Sequence, residues 1–164
     1  MTKKEIHYLI VVFLVVTAGG TIFYFGGKAT LNIQQAQKKE NLADCLLLKN
    51  IKLYGSLNCP YTTKEKELFG EFFSKINYTE CNNETNSFIA CKEKGINTTP
   101  TWVFPKEIGI ENQLLSCEEC AKKSKDIYCK DYCFEESKNG TEFYVTGFMD
   151  LQTLDKLSQC NIFK

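Results

Sequence analysis

The chain has no surplus of charge of either sign: 20 lysine and arginine residues stand against 20 aspartate and glutamate. Nothing therefore steers it onto nucleic acid or anionic lipid, and nucleic-acid binding is not expected. Histidine is nearly missing as well. His7 is the only one, so a cysteine–histidine catalytic pair of the protease type cannot form in the rest of the chain. At 164 residues there is room for one domain with a proper core, plus a tail or an anchor.

Cysteine is abundant. The nine are Cys45, Cys59, Cys81, Cys91, Cys117, Cys120, Cys129, Cys133 and Cys160, more than a reducing compartment tolerates without a metal to bind. Disulfides or zinc must account for most of them. From Tyr8 to about Gly26 the chain carries no charged side chain, a run that just spans a bilayer. Val16-Thr17-Ala18 would serve as a signal-peptide cleavage site, but the apolar run continues past it through Ile22, Phe23, Tyr24 and Phe25. A retained transmembrane helix at 8–26 is the expectation, behind a short cytoplasmic N-terminus at 1–7. Lys3 and Lys4 favour that orientation, with Lys28, Lys38 and Lys39 on the other flank working against it. The rest of the chain would then lie on the extracytoplasmic side, anchored to the cell membrane, where cysteines pair. The sequons at Asn77, Asn83, Asn97 and Asn139 agree with export but arise readily by chance.

Residues 27–43, polar and rich in Gln and Lys, read as a helical or flexible stalk, and a domain is expected over 44–164. Ile51 to Gly55 reads as a strand. Thr63 to Lys75, with Leu68, Phe69, Phe72 and Phe73 at helical spacing, reads as a helix. Ile76 to Glu80 reads as a second strand, Ser87 to Lys94 as a second helix stopped by Gly95, and Thr101 to Phe104 as a third strand. Glu142 to Val145 forms a fourth strand and Leu151 to Gln159 a closing amphipathic helix. The order is βαβαββα, an α/β domain with its first two strands parallel. At about 105–141 it is interrupted by a cysteine-rich insertion, and insertions of that length are functional or stapled.

Cys59-Pro60-Tyr61-Thr62 falls between the first strand and the first helix. There, backbone N–H groups and the positive end of the helix dipole favour a thiolate, which makes Cys59 the candidate nucleophile. Thr99-Pro100 precedes the third strand. Its alternative reading is an ordinary turn proline, and Trp102, Phe104, Leu68 and Phe72 read as core.

The segments LYGSLNCPYT, KELFG, TECN, GINTTPTWVF and GFMDLQTLDKLSQC together resemble the thioredoxin-like domain of bacterial and archaeal vitamin K epoxide reductase homologues. The resemblance covers most of 45–104 and 141–160. CPYT is also similar, more distantly, to the CPYC of glutaredoxins. What the resemblance implies is a thioredoxin-like fold, a central mixed sheet flanked by helices, and disulfide exchange with exported cysteine-containing proteins or with a membrane redox partner. It implies a cis Pro100 facing the Cys59 sulfur, with Pro100 part of the catalytic set, and Tyr61, Thr99 and Pro100 contacting substrate. It implies disulfides Cys45–Cys160 and Cys81–Cys91. Two departures stand out: Asn58 occupies the place of the family's tryptophan and Thr62 that of its second cysteine.

A dithiol enzyme frees its first sulfur with its second, one helical turn away. Cys59 with Thr62 cannot. A monothiol can still attack a disulfide, hold the substrate and be released by the substrate's own thiol, with the Thr62 hydroxyl donating to the thiolate. The expected function is therefore a monothiol thiol-disulfide oxidoreductase or isomerase without a cofactor. The alternative is a catalytically inactive binding module holding a partner at the membrane. Setting Cys59 aside leaves eight cysteines, an even number. In the insertion, Cys117 with Cys133 and Cys120 with Cys129 is one of three pairings, and the same four as a tetrahedral zinc site is the other reading.

Overall fold

In the computed structural model, residues 4, 5, 13, 30–82, 87–122 and 132–164 are described. They fall into two compact units, Met1–Gln37 and Lys38–Lys164. All but Phe13 of the expected span at 8–26 lies outside the described residues. Among the described residues no helix is long and apolar enough to cross a membrane. Residues 30–48 are helical (α1). Those up to 37 belong to the first unit, where Leu31 and Ile33 are exposed. Those from 38 onward belong to the second.

The second unit is a mixed α/β structure built on one five-stranded sheet flanked by helices. Its strands are β1 (Lys52–Gly55), β2 (Asn77–Glu80), β3 (Thr101–Pro105), β4 (Phe134–Glu136) and β5 (Glu142–Thr146), in the order β2-β1-β3-β5-β4. Its helices after α1 are α2 (Pro60–Phe69), α3 (Ser87–Glu93), α4 (Cys117–Lys122) and α5 (Leu151–Ser158). β1 and β2 are parallel, as a helical crossover requires, and every other pair is antiparallel.

Alternation along the strands divides the core in two. Leu53, Trp102, Phe104, Phe143 and Val145 face one way and pack with Leu42, Ala43 and Leu46 of α1, Phe69 of α2 and Leu154 and Leu157 of α5. Tyr54 and Val103 face the other way, against Cys91 of α3 and Ile96, with Tyr144 beside them. The end of the expected stalk thus contributes to the core, since Leu42 and Ala43 are fully buried.

The elements differ from the sequence expectation chiefly in two places. The helix expected over Thr63–Lys75 begins at Pro60, whose ring suits the first helical position. It ends at Gly70, where φ is +60° and the chain continues as a 3₁₀ turn to Lys75. The second difference is β4, inside the insertion. Phe134 packs edge-on against Phe143 with ring centroids 4.8 Å apart, and the Tyr132 hydroxyl donates to the Phe148 carbonyl. The insertion therefore extends the sheet by one edge strand.

Candidate functional site

Cys59 closes the loop Ser56–Cys59 and is the N-cap of α2. Several contacts hold that loop in shape. The Cys59 N–H donates to the Ser56 carbonyl at 2.9 Å, and the Leu57 N–H donates to Glu80 Oε1 at 2.9 Å. The other Glu80 oxygen accepts from the Tyr78 hydroxyl. Gly55 is required at the foot of the loop because a Cβ there would lie 2.5 Å from Thr62 Cγ2.

The Cys59 thiol is half-buried and is the free cysteine among those described. Its Sγ donates to the Thr99 carbonyl at 3.1 Å, across a span of 40 residues, and the Thr99–Pro100 peptide bond is cis. Burial by itself pushes the thiol pKa up. The N–H groups of Thr62 and Tyr61 and the hydroxyls of Thr99 and Thr62 oppose it, and together they bring the thiol below its ordinary value. No acidic residue occupies the first turn of α2, so the positive end of the helix is left to the sulfur.

Thr62 stands where a resolving cysteine would be, one helical turn from Cys59. It is fully buried, and its Oγ1 accepts the Ser56 N–H at 3.2 Å. An oxygen that accepts a backbone hydrogen keeps its own proton for the sulfur. Tyr61 is 56% exposed and Leu57 62% exposed, so an aromatic and an aliphatic side chain flank Cys59 at the surface.

Of the residues named from sequence, the structure brings together Cys59, Tyr61, Thr62, Thr99 and Pro100. Cys45–Cys160, Cys81–Cys91 and Cys117–Cys133 are disulfides. Cys120 is disulfide-bonded as well, while its expected partner Cys129 lies outside the described residues. A bonded sulfur carries no thiolate for a metal; three of the four sulfurs of the alternative zinc reading are spent in this way.

Sequence reasoning missed Glu65, Tyr78 and Glu80. Glu65 is fully buried and ties α2 to the sheet: its Oε1 accepts from Trp102 Nε1 at 3.2 Å and from the Met149 N–H at 2.6 Å. Its Oε2 has no hydrogen-bond partner among the described residues, and burial raises its pKa to about 7. A signal was present. Glu65 lies at helical spacing between the buried Thr62 and Phe69, a carboxyl on the inward face. Glu80 had none, since only the folded loop brings Leu57 to it. No protein-family model matches the chain.

Proposed function

We propose that this chain is a thioredoxin-like, membrane-anchored extracytoplasmic protein in which Cys59 carries out monothiol disulfide exchange on exported cysteine-containing proteins. The observation that carries the reading is the free Cys59 thiol at the N-cap of α2, its pKa lowered, 3.1 Å from the carbonyl that precedes cis Pro100. The fold assignment is supported by the strand order β2-β1-β3-β5, with β1 and β2 parallel and β3 and β5 antiparallel to their neighbours. An oxidising location is supported by seven described cysteines held in disulfides. The anchor at 8–26 rests on the uncharged run alone.

The Cys59 thiolate attacks one sulfur of a substrate disulfide. A Cys59–substrate S–S bond forms, the substrate's own S–S bond breaks, and the second substrate sulfur leaves as thiolate. A substrate thiolate then attacks its partner sulfur in the mixed bond, and Cys59 departs as the thiolate it was. No electrons are gained or lost. The result is rearrangement, which needs no second cysteine at position 62. Before attack and after release, the Cys59 thiolate is held by the N–H groups of Tyr61 and Thr62 and by the Thr62 and Thr99 hydroxyls.

A second reading, a binding module, is favoured by the exposed Leu57 and Tyr61 beside a site without a resolving thiol. One experiment separates the two. The full-length protein in detergent is mixed with a disulfide-scrambled substrate protein, quenched in acid, alkylated and mapped by mass spectrometry. Exchange predicts adducts on Cys59 that vanish in Cys59→Ser. Binding predicts no adduct, with partner retention intact in the variant.

A further inference from the structure

A cavity of about 430 Å³ opens beside the turn that carries Thr99. The Thr101 hydroxyl donates to the Thr98 carbonyl at 2.7 Å, which draws the base of this turn together and leaves Thr99-Pro100 at its tip. Cys59 meets the tip; the cavity lies against the base, at Thr98 and Thr101.

The insertion builds the far wall. Thr101 lies opposite Thr146 on β5, with the two hydroxyls 3.1 Å apart. Phe134 pairs with Val145, so Cys133, one residue earlier, comes level with Thr146. At about 4.8 Å per strand this places Cys133 roughly 10 Å from Thr101. The Cys117–Cys133 disulfide lines the cavity there. Ile96 and Tyr144 supply apolar surface, and Glu135, directly across from Tyr144, projects on the same face of the sheet.

Charge distinguishes Glu135 from its neighbours. Glu136 is paired with Lys106 and Glu142 with Lys94. Glu135 is exposed and has no ion-pair partner among the described residues. The cavity is large enough for a side chain and its adjoining backbone, and it is continuous with the turn against which Cys59 sits.

We propose that this cavity is a substrate subsite that takes a lysine or arginine side chain a few residues from the cysteine attacked by Cys59. The aliphatic stem lies along Ile96, Tyr144 and the disulfide, and the cationic head reaches Glu135. The subsite rests on the exchange reading above, and it makes the insertion a selector among exported polypeptides.

The test uses the full-length protein in detergent and a set of synthetic peptides. Each peptide has one cysteine activated as a neutral pyridyl disulfide, and arginine, alanine or aspartate is placed in turn at each of the neighbouring positions on either side. The rate of mixed-disulfide formation on Cys59 is divided by that of the alanine peptide for the same protein. At one position the arginine peptide should outpace the aspartate peptide by about fivefold, the range of an exposed ion pair. Glu135→Gln should remove the preference and Glu135→Lys should invert it. Cys59 reacting with all peptides alike, or a preference unchanged by both substitutions, would overturn the subsite and leave exchange standing. Absence of any adduct on Cys59 would overturn both.

Discussion

The sulfur of Cys59 and the carbonyl oxygen of Thr99 are 3.1 Å apart, although 40 residues separate them in the chain. The protonated thiol has an acceptor in that carbonyl. The thiolate has donors in the Tyr61 and Thr62 N–H groups and in the Thr62 and Thr99 hydroxyls. Both protonation states are therefore held in place, and the donors lower the thiol pKa from its ordinary value. A nucleophile that must attack and later leave needs both.

Thr62→Val keeps the shape of the side chain and removes its hydroxyl. The Ser56 N–H then loses its acceptor and the Cys59 thiolate one of its donors. Stability should fall by about 1–2 kcal/mol, read from urea unfolding followed by fluorescence of the single tryptophan, Trp102. Alkylation of Cys59 by iodoacetamide near neutral pH should slow several-fold, with its pH profile displaced to higher pH. An unchanged profile would show that the hydroxyl does not act on the sulfur.

Glu65 should make stability depend on pH. A carboxyl that titrates near 4.5 in the unfolded chain and at about 7 in the fold binds a proton on folding between those values. Its contribution is complete below about pH 4.5 and is lost as pH rises through about 7, a change on the order of 3 kcal/mol. Glu65→Gln, which resembles the protonated acid, should flatten that slope in unfolding midpoints measured from pH 4 to 8. Glu65→Ala leaves Trp102 Nε1 and the Met149 N–H without their acceptor and should cost about 2–4 kcal/mol throughout.

Gly55→Ala places a methyl 2.5 Å from Thr62 Cγ2 and 2.9 Å from Tyr78 Cε2. Both neighbours are set by the helix and strand beneath them, so the strain should appear as about 1–3 kcal/mol of lost stability. Thr62 must also move, and Cys59 alkylation should slow with it. A variant of wild-type stability would mean that the loop gives way more easily than its hydrogen bonds suggest.

The disulfides should rank by the chain they enclose. Cys45–Cys160 spans 115 residues and Cys81–Cys91 spans 10. In the loop-entropy account, removing the first by paired serine substitution should cost about 4–5 kcal/mol and the second about 2–3. Denaturant unfolding of the two double variants decides it. The reverse order would mean that local packing around α3 matters more than loop closure.

Much of this arrangement is written locally. The alternation around Leu53 and Trp102, the Pro60 start and the capping Asp150, whose carboxylate accepts from the Gln152 and Thr153 N–H groups, are properties of short segments. Their elements could be read in chain order. The strand Phe134–Glu136 could not, because three residues carry too little periodicity to be told from loop and become a strand only against β5. The same holds for the break at Gly70, where a helical apolar pattern runs on while the backbone changes course.

By itself the sequence determined the cysteine inventory, the absence of a second thiol at position 62, the order of the principal strands and helices, and the place of Cys59 at a strand-to-helix turn. These depend on neighbours within a few residues. The tertiary structure alone decided that Thr99 meets the Cys59 sulfur, that Glu65 is buried with one oxygen unpartnered among the described residues, that Glu80 holds the Leu57 loop, and that the Cys117–Cys133 disulfide walls a cavity beside Thr98. Each joins residues far apart in the chain, and such contacts are specified by the summed packing of the sheet and its helices, which no single segment encodes.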